Sequence, residues 1–303
     1  MSEIVEPKNE TIDVPDASLH YLDWGGCGTP AHLLHANGFC AGTYAPFVRH
    51  MIDRFRVVAS DVRGHGDSVS FNSSRIRHWQ LFANDLCTVV SATLPLPVVG
   101  IGHSLGAVAT LMAAVQRPDM FAALVLIEPP ILPYRTIWML RIMRRLGIEG
   151  LIPLAKGARR RRRVFKSKQA AFTRFASSRG IFKKWSPAFI DAYLECGLLE
   201  KDTQSAVLKC DPELEAQIYE SIPTNVWQLV PSVACPTLII RGALSDTLPP
   251  DVAQRLHRLI PDAELSTIVG SGHFPPMEHP RECAHIIQRF VKRRVPPLDS
   301  CRV

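Results

Sequence analysis

The sequence predicts an α/β domain: a mostly parallel sheet with helices on both faces, interrupted by one helical insertion. Three observations predict it. Short continuous apolar runs of strand length alternate with segments of helical period, the pattern of strands buried on both faces. That alternation stops near residue 131 and resumes near 232. The 303 residues are 47% hydrophobic and 21% charged, enough to bury the core of one large domain, or of one domain with a sizeable insertion.

Taken in order, Leu19–Asp23 alternates and closes on Gly25-Gly26, a strand and turn. Ala31–His35 is a short buried run leading into Ala36-Asn37-Gly38-Phe39, and Thr43–Met51 suits a short helix. Arg56–Ser60 is another buried strand, followed by the turn Asp61-Val62-Arg63-Gly64-His65-Gly66-Asp67-Ser68. Apolar residues at Trp79, Phe82, Leu86, Val89 and Val90 give Arg77–Thr93 a helical period. Val98 onward and Ala123–Ile127 are further buried strands, with a small-residue helix from Ala107 to Arg117 between them. From 131 to 231 several helix signatures and no convincing strand are read. Ser186-Pro187 and Asp211-Pro212 each resemble an N-cap followed by proline in the first helical position. Strand–helix alternation returns with Thr237–Arg241, a helix near Asp251–Ile260, Leu265–Val269 and a last helix over Arg281–Arg293. Residues 1–130 and 232–303 are therefore expected to form the core, and 131–231 the insertion.

The chemistry centres on Gly102-His103-Ser104-Leu105-Gly106, set between a strand and a helix. A Gly-x-Ser-x-Gly in that context reads as a nucleophile elbow, a turn too crowded for side chains two residues either side of the serine. A serine hydroxyl is a poor nucleophile without a base, and the base needs an orienting acid. In an open α/β sheet the partners lie in loops after strands. Asp246 follows one such strand in Arg241-Gly242-Ala243-Leu244-Ser245-Asp246, and His273 follows another in Gly270-Ser271-Gly272-His273-Phe274-Pro275. Glu128, at the end of the Ala123–Ile127 strand, is the rival acid. His35 is expected to be a structural hydrogen-bonder, His103 a neighbour that shapes the pocket, and His279 a helix-start residue.

With these motifs in order, the chain resembles the α/β-hydrolase superfamily, serine esterase- and lipase-like members with a helical cap, from about Leu19 to Val291. His35-Ala36-Asn37-Gly38 is similar to the family's oxyanion loop, although Ala36 stands where glycine is usual. Asp61 to Ser68 is similar to its Asp-x-Arg-Gly-x-Gly-x-Ser turn. The resemblance implies that Ser104 attacks a carbonyl, His273 relays the proton, Asp246 orients the imidazole, and the N–H groups of Asn37 and Leu105 bind the oxyanion. It makes 131–231 the cap, and the substrate a carboxylic ester of small or medium apolar acyl groups. Thioester, lactone or carbon–carbon bond hydrolysis and cofactor-free peroxidation use the same trio and stay open, as does a ligand receptor of this fold. Neither metal nor organic cofactor is expected. Serine at 104 argues against relatives that use aspartate there.

Charge divides the chain. The insertion carries 18 Lys+Arg against 9 Asp+Glu within an overall net charge of +7, and residues 131–184 hold 16 basic and 1 acidic. The run Arg159–Arg163, read as helical, would point all round its axis and so could form no single reading face. Without an aromatic platform for bases, nucleic acid is not an expected partner. Pairing with the acidic half of the insertion is favoured, with weak attraction to an anionic surface as the second reading; oligomeric state is not legible. Ile137–Leu146 reads as a helix apolar on most of its circumference, packed on the core, with an inner face that could line an acyl pocket. Eight scattered cysteines without paired spacing favour a reducing compartment over a disulfide framework. With neither a secretory leader nor an apolar stretch of membrane-spanning length, a cytoplasmic protein is expected.

Overall fold

The computed structural model describes residues 6–26, 28–71, 75–178, 180–202 and 205–296. The chain opens on β1 (Lys8–Val14), β2 (Ala17–Asp23) and β3 (Thr29–Leu34), then a single turn of 3-10 helix (Ala41–Tyr44) running into α1 (Ala45–Val48). β4 (Phe55–Ser60), the two-residue β5 (Val69–Ser70), α2 (Gln80–Thr93), β6 (Val98–His103), α3 (Leu105–Gln116) and β7 (Phe121–Ile127) complete the first half of the core. The strands join β11 (Thr237–Gly242) and β12 (Ala263–Ile268) in one sheet of order β1-β2-β4-β3-β6-β7-β11-β12, with β5 beside β2. From β4 to β12 every pairing is parallel, and β1, β2 and β5 pair antiparallel at one side.

Side-chain alternation explains why the strands read as continuous apolar runs. Leu33, Val57, Val99, Val125 and Ile240 point to one face, where they meet Phe47 of α1 and the last helix. Leu34, Val58, Val98, Leu126 and Ile239 point to the other, against α2 and α3. Each face is covered, so neither can be polar. The antiparallel β1 was not legible, because most of its residues are exposed and it has no apolar face to announce it.

Between β7 and β11 lie α4 (Tyr134–Arg145), α5 (Pro153–Arg159), β8 (Val164–Phe165), α6 (Lys168–Ala176), α7 (Pro187–Gly197), β9 (Leu198–Asp202), β10 (Ser205–Leu208), α8 (Pro212–Glu220) and α9 (Val226–Leu229). The expectation of an all-helical insertion is corrected here: β8, β10 and β9 form a small antiparallel sheet. Strands this short carry too few residues for a period to show. Asp211 caps α8 as expected, its side chain accepting from the Glu213 N–H at 2.8 Å, and Pro212 follows. Beyond β11 come α10 (Pro250–Leu259), α11 (Pro275–Glu278) and α12 (Pro280–Arg294), with His279 at the N-cap of α12.

The arginine run behaves differently from a helical stripe, because α5 ends at Arg159 and the chain then extends. Alternate residues therefore share a side. Arg159 pairs with Glu213 and Glu220, Arg161 with Glu215 at 2.7 Å, and Arg163 with Asp211 at 2.5 Å. Arg162 turns the other way and lies over the ring of Phe165. The basic and acidic halves of the insertion thus clasp one another.

The expectation of unpaired cysteines also needs correction. Cys40 and Cys196 form a disulfide across 156 residues of sequence, with Cα atoms 6.6 Å apart. Only the docking of α7 on the Ala41–Tyr44 turn brings them together, so their spacing carried no signal. Cys87, Cys210, Cys235 and Cys283 are free; Cys27 and Cys301 lie outside the described residues. No helix among the described residues is long and apolar enough to cross a membrane.

Candidate active site

Ser104 sits at the junction of β6 and α3 with φ 55°, in the left-handed region that a serine rarely adopts. The flanking glycines make that turn feasible. A Cβ on Gly102 would lie 2.3 Å from the Gly106 carbonyl oxygen, and one on Gly106 would lie 2.1 Å from that of Leu34. The Ser104 N–H donates to the Ile127 carbonyl at 2.9 Å, pinning the turn to β7. The hydroxyl thus stands at the first turn of α3, where the helix dipole and free N–H groups favour developing negative charge.

His273 lies in the loop after β12, and its Nε2 is 3.1 Å from the Ser104 Oγ. Its Nδ1 is 3.1 Å from Oε2 of Glu128, a fully buried carboxylate. The acid facing the imidazole is therefore Glu128. Asp246, the residue expected there, is exposed and has no hydrogen-bond or ion-pair partner among the described residues. The cause is visible in the loop after β11. The Gly242 N–H, at the end of β11, donates to Glu128 Oε1 at 2.6 Å, and the Ser245 hydroxyl of the loop donates to Oε2. That loop supplies donors to a neighbouring strand's carboxylate and leaves its own aspartate in solvent. Glu128 itself has φ 51°, and its N–H donates to the Ile240 carbonyl at 2.8 Å, which turns its side chain back over the sheet edge.

Asn37 and Leu105 are both buried, and neither N–H donates to an acceptor among the described residues. Gly38 differs: its N–H donates to His65 Nε2 at 3.0 Å. His35 holds the loop from beneath, as expected. Its Nε2 accepts from the Val62 N–H at 2.8 Å, so the proton on Nδ1 goes to the Ala36 carbonyl, also at 2.8 Å.

His103 does more than shape a pocket. Its Nε2 is 2.8 Å from the His273 carbonyl, an acceptor only, so Nε2 carries the proton. Burial pushes its pKa well below the usual histidine range, with His273 lowering it further, so the ring is neutral and Nδ1 is an acceptor. The Tyr44 hydroxyl donates to that Nδ1 at 2.6 Å and accepts from the Ala36 N–H at 3.1 Å. A buried chain of hydrogen bonds thus joins the 35–38 loop, the elbow and the His273 loop. Glu278 braces the last of these, accepting from the Gly272 N–H at 2.6 Å and the Ser271 hydroxyl at 3.2 Å. Tyr44, Ser245 and Glu278 escaped the sequence reading because ordinary hydroxyls and carboxylates in loops carry no pattern.

The surroundings of the trio are aromatic. Phe39 packs against Trp185, Tyr193 and Phe274 with ring centroids 5.3–5.6 Å apart, and Phe274 lies 4.9 Å from the His273 ring. Trp185 and Tyr193 come from the insertion. Ile137 of α4 packs instead in the cluster with Ile218 and Trp227 on the other face of the sheet, so the expected acyl-pocket lining does not come from it. Among the described residues, His20, Asp61 and Asp67 form the one group with metal-ligand atoms mutually in reach. Asp61 already receives the Ala41 N–H at 2.6 Å, the Asp67 N–H at 3.0 Å and His20 Nδ1 at 2.6 Å, so this carboxylate serves as the staple of its turn.

A serine at a tight strand–helix turn, an imidazole and a buried carboxylate thus meet at the carboxyl edge of a mostly parallel sheet. The chain belongs to the alpha/beta hydrolase family, whose model matches residues 33–286. It is 25% identical over 272 residues to a pimeloyl-(acyl-carrier protein) methyl ester esterase of Xanthomonas axonopodis pv. citri, covering 89% of this chain and 98% of that protein. It is likewise 25% identical over 292 residues to the mouse sn-1-specific diacylglycerol lipase ABHD11, covering 93% and 88% of the two. Among solved structures, an E-2-(acetamidomethylene)succinate hydrolase superposes with a TM-score of 0.77 at 20% identity, covering 94% of this chain and 99% of that one.

Proposed function

We propose that this protein is a serine hydrolase that cleaves carboxylic esters of small or medium apolar acyl groups through an acyl-enzyme on Ser104. The observation that carries the proposal is the continuous contact Ser104 Oγ–His273 Nε2, His273 Nδ1–Glu128 Oε2. His273 takes the serine proton as Oγ attacks the carbonyl carbon, and returns it to the departing alcohol. Glu128 holds the proton on Nδ1 and stabilises the imidazolium. The Asn37 and Leu105 N–H groups receive the carbonyl oxygen as it becomes an oxyanion, each such donor contributing about 3 kcal/mol to the transition state. Water, activated by the same imidazole, then releases the acid and frees Ser104. No cofactor takes part in this sequence.

The insertion over 131–231 acts as the cap, and the rings of Trp185, Tyr193, Phe39 and Phe274 beside the trio favour an apolar acyl chain. The named relatives include two that act on esters, which supports the same class. The test is labelling by a fluorophosphonate together with hydrolysis of a graded panel of acyl esters, thioesters and lactones. Wild-type protein should label once, at Ser104. Ser104→Ala should lose both the label and about 10⁶ in kcat; if this variant still turned over esters, the assignment would be refuted.

A further inference from the structure

The outer surface of the insertion carries a feature that catalysis does not use. On α4, residues 137, 140, 141 and 144 recur at helical spacing and face the protein: Ile137 and Leu140 are buried, Arg141 donates to Thr224, and Arg144 donates to the Glu220 and Ile222 carbonyls. The opposite face should then be polar. It is apolar instead, with Trp138 69% exposed, Met139 54%, and Leu146 65%, just past the helix end. Leu151 and Leu154, in the next turn and at the start of α5, are exposed as well. Isolated exposed hydrophobics are ordinary, but a run of large ones on one helix face and its continuation marks an interaction surface.

Charge says what kind. Arg135 and Arg145 share this face of α4, Lys156 and Arg160 follow in α5 and at its end, and none has an ion-pair partner among the described residues. The one acid of residues 131–184, Glu149, pairs with Arg75 at 2.9 Å. Tryptophan, leucine and methionine flanked by unpaired arginine and lysine, on an exposed helix face, is the pattern of a helix lying in a membrane interface. We infer that α4 and the start of α5 dock the protein on an anionic lipid bilayer surface, apolar side chains inserted among the acyl chains and basic ones against the headgroups. This inference is independent of the roles given to Ser104, His273 and Glu128.

The test is partition of the full chain onto vesicles of phosphatidylcholine with and without phosphatidylglycerol, read by sedimentation and tryptophan emission. Trp24, Trp79, Trp185 and Trp227 are buried, so a shift in emission reports Trp138. Wild-type protein should bind the anionic vesicles at least about tenfold more tightly than the neutral ones, with a blue shift and a loss in high salt. Removing Arg135 and Arg145 together as glutamines should weaken binding by about fivefold per charge. Trp138→Ser with Leu146→Ser, which removes the reporting tryptophan, should abolish co-sedimentation with the anionic vesicles. Both variants should keep the wild-type melting temperature and fluorophosphonate labelling. Each of these results would overturn the inference: no preference for anionic vesicles, binding indifferent to both variants, or a wild-type dimer that the Trp138/Leu146 variant dissociates, which would make the face a self-association surface. Capture of an acidic polypeptide with no vesicle binding would overturn it in favour of a protein partner.

Discussion

Replacing Glu128 by glutamine is the sharpest probe of the site, because the change is nearly isosteric and its consequence can be followed atom by atom. Glu128 is fully buried and accepts from the Gly242 N–H, the Ser245 hydroxyl and His273 Nδ1. In the glutamine variant the remaining carbonyl oxygen keeps the Gly242 N–H, and the amide NH₂ takes the place of Oε2. Ser245 can turn its hydroxyl and accept. His273 can accommodate the new donor only by presenting a bare Nδ1, which moves its proton to Nε2, facing Ser104. The base is then occupied. A wrong tautomer of this kind costs about 10⁴ in kcat where it has been isolated in serine hydrolases, or about 5.5 kcal/mol of transition-state stabilisation. Asp246→Asn, at an exposed residue with no partner, should stay within about threefold of wild type, as a surface change away from any built feature does. The assay is steady-state hydrolysis of a short-chain p-nitrophenyl ester, with the rate of fluorophosphonate labelling as a second readout and the melting temperature as a check on folding. If Asp246→Asn is crippled while Glu128→Gln turns over normally, the acid assignment is wrong.

Two further outcomes follow from buried groups. Tyr44→Phe removes the hydroxyl that links the Ala36 N–H to His103, and so loosens both the 35–38 loop and the backbone of His273; kcat should fall by about 10–100-fold with KM little changed, since small misplacements at a reacting centre cost that much. A rise in KM with kcat unchanged would refute a positioning role for this chain of hydrogen bonds. Acid should also unfold the protein early. Burial holds His32 and His65 down to about 3 and lowers His35 and His103 as well. His32 and His65 stay neutral in the fold down to about 3 but take up protons near pH 6.5 once unfolded, and the lowered His35 and His103 act in the same direction. The unfolded state therefore binds more protons below that pH, and stability present above it drains away as pH falls toward 3, by up to about 1.4 kcal/mol per pH unit for each histidine. Denaturant titrations at pH 7.5, 6 and 5 should show this slope; a midpoint that does not move across that window would contradict the burial of these rings.

What could be read from the amino acids alone were features whose cause is local. Continuous apolar runs mark β3, β4, β6, β7 and β11 because a strand covered on both faces has no polar side to show. The elbow was legible because Gly102 and Gly106 are the residues that let backbone approach backbone, whatever surrounds them. Pro212 after Asp211 announced α8 for the same kind of reason. The tertiary structure decided the rest. Whether Asp246 or Glu128 faces His273 depends on how the loop after β11 folds over the end of β7, and on where Ser245 and Gly242 spend their donors; two carboxylates at two strand ends are equivalent until that packing is known. The same holds for Tyr44 bridging Ala36 to His103, for Arg159, Arg161 and Arg163 finding α8, and for Cys40 meeting Cys196. Each of these contacts joins segments that are distant along the chain, and such a contact leaves no periodicity in either segment by which it could be foreseen.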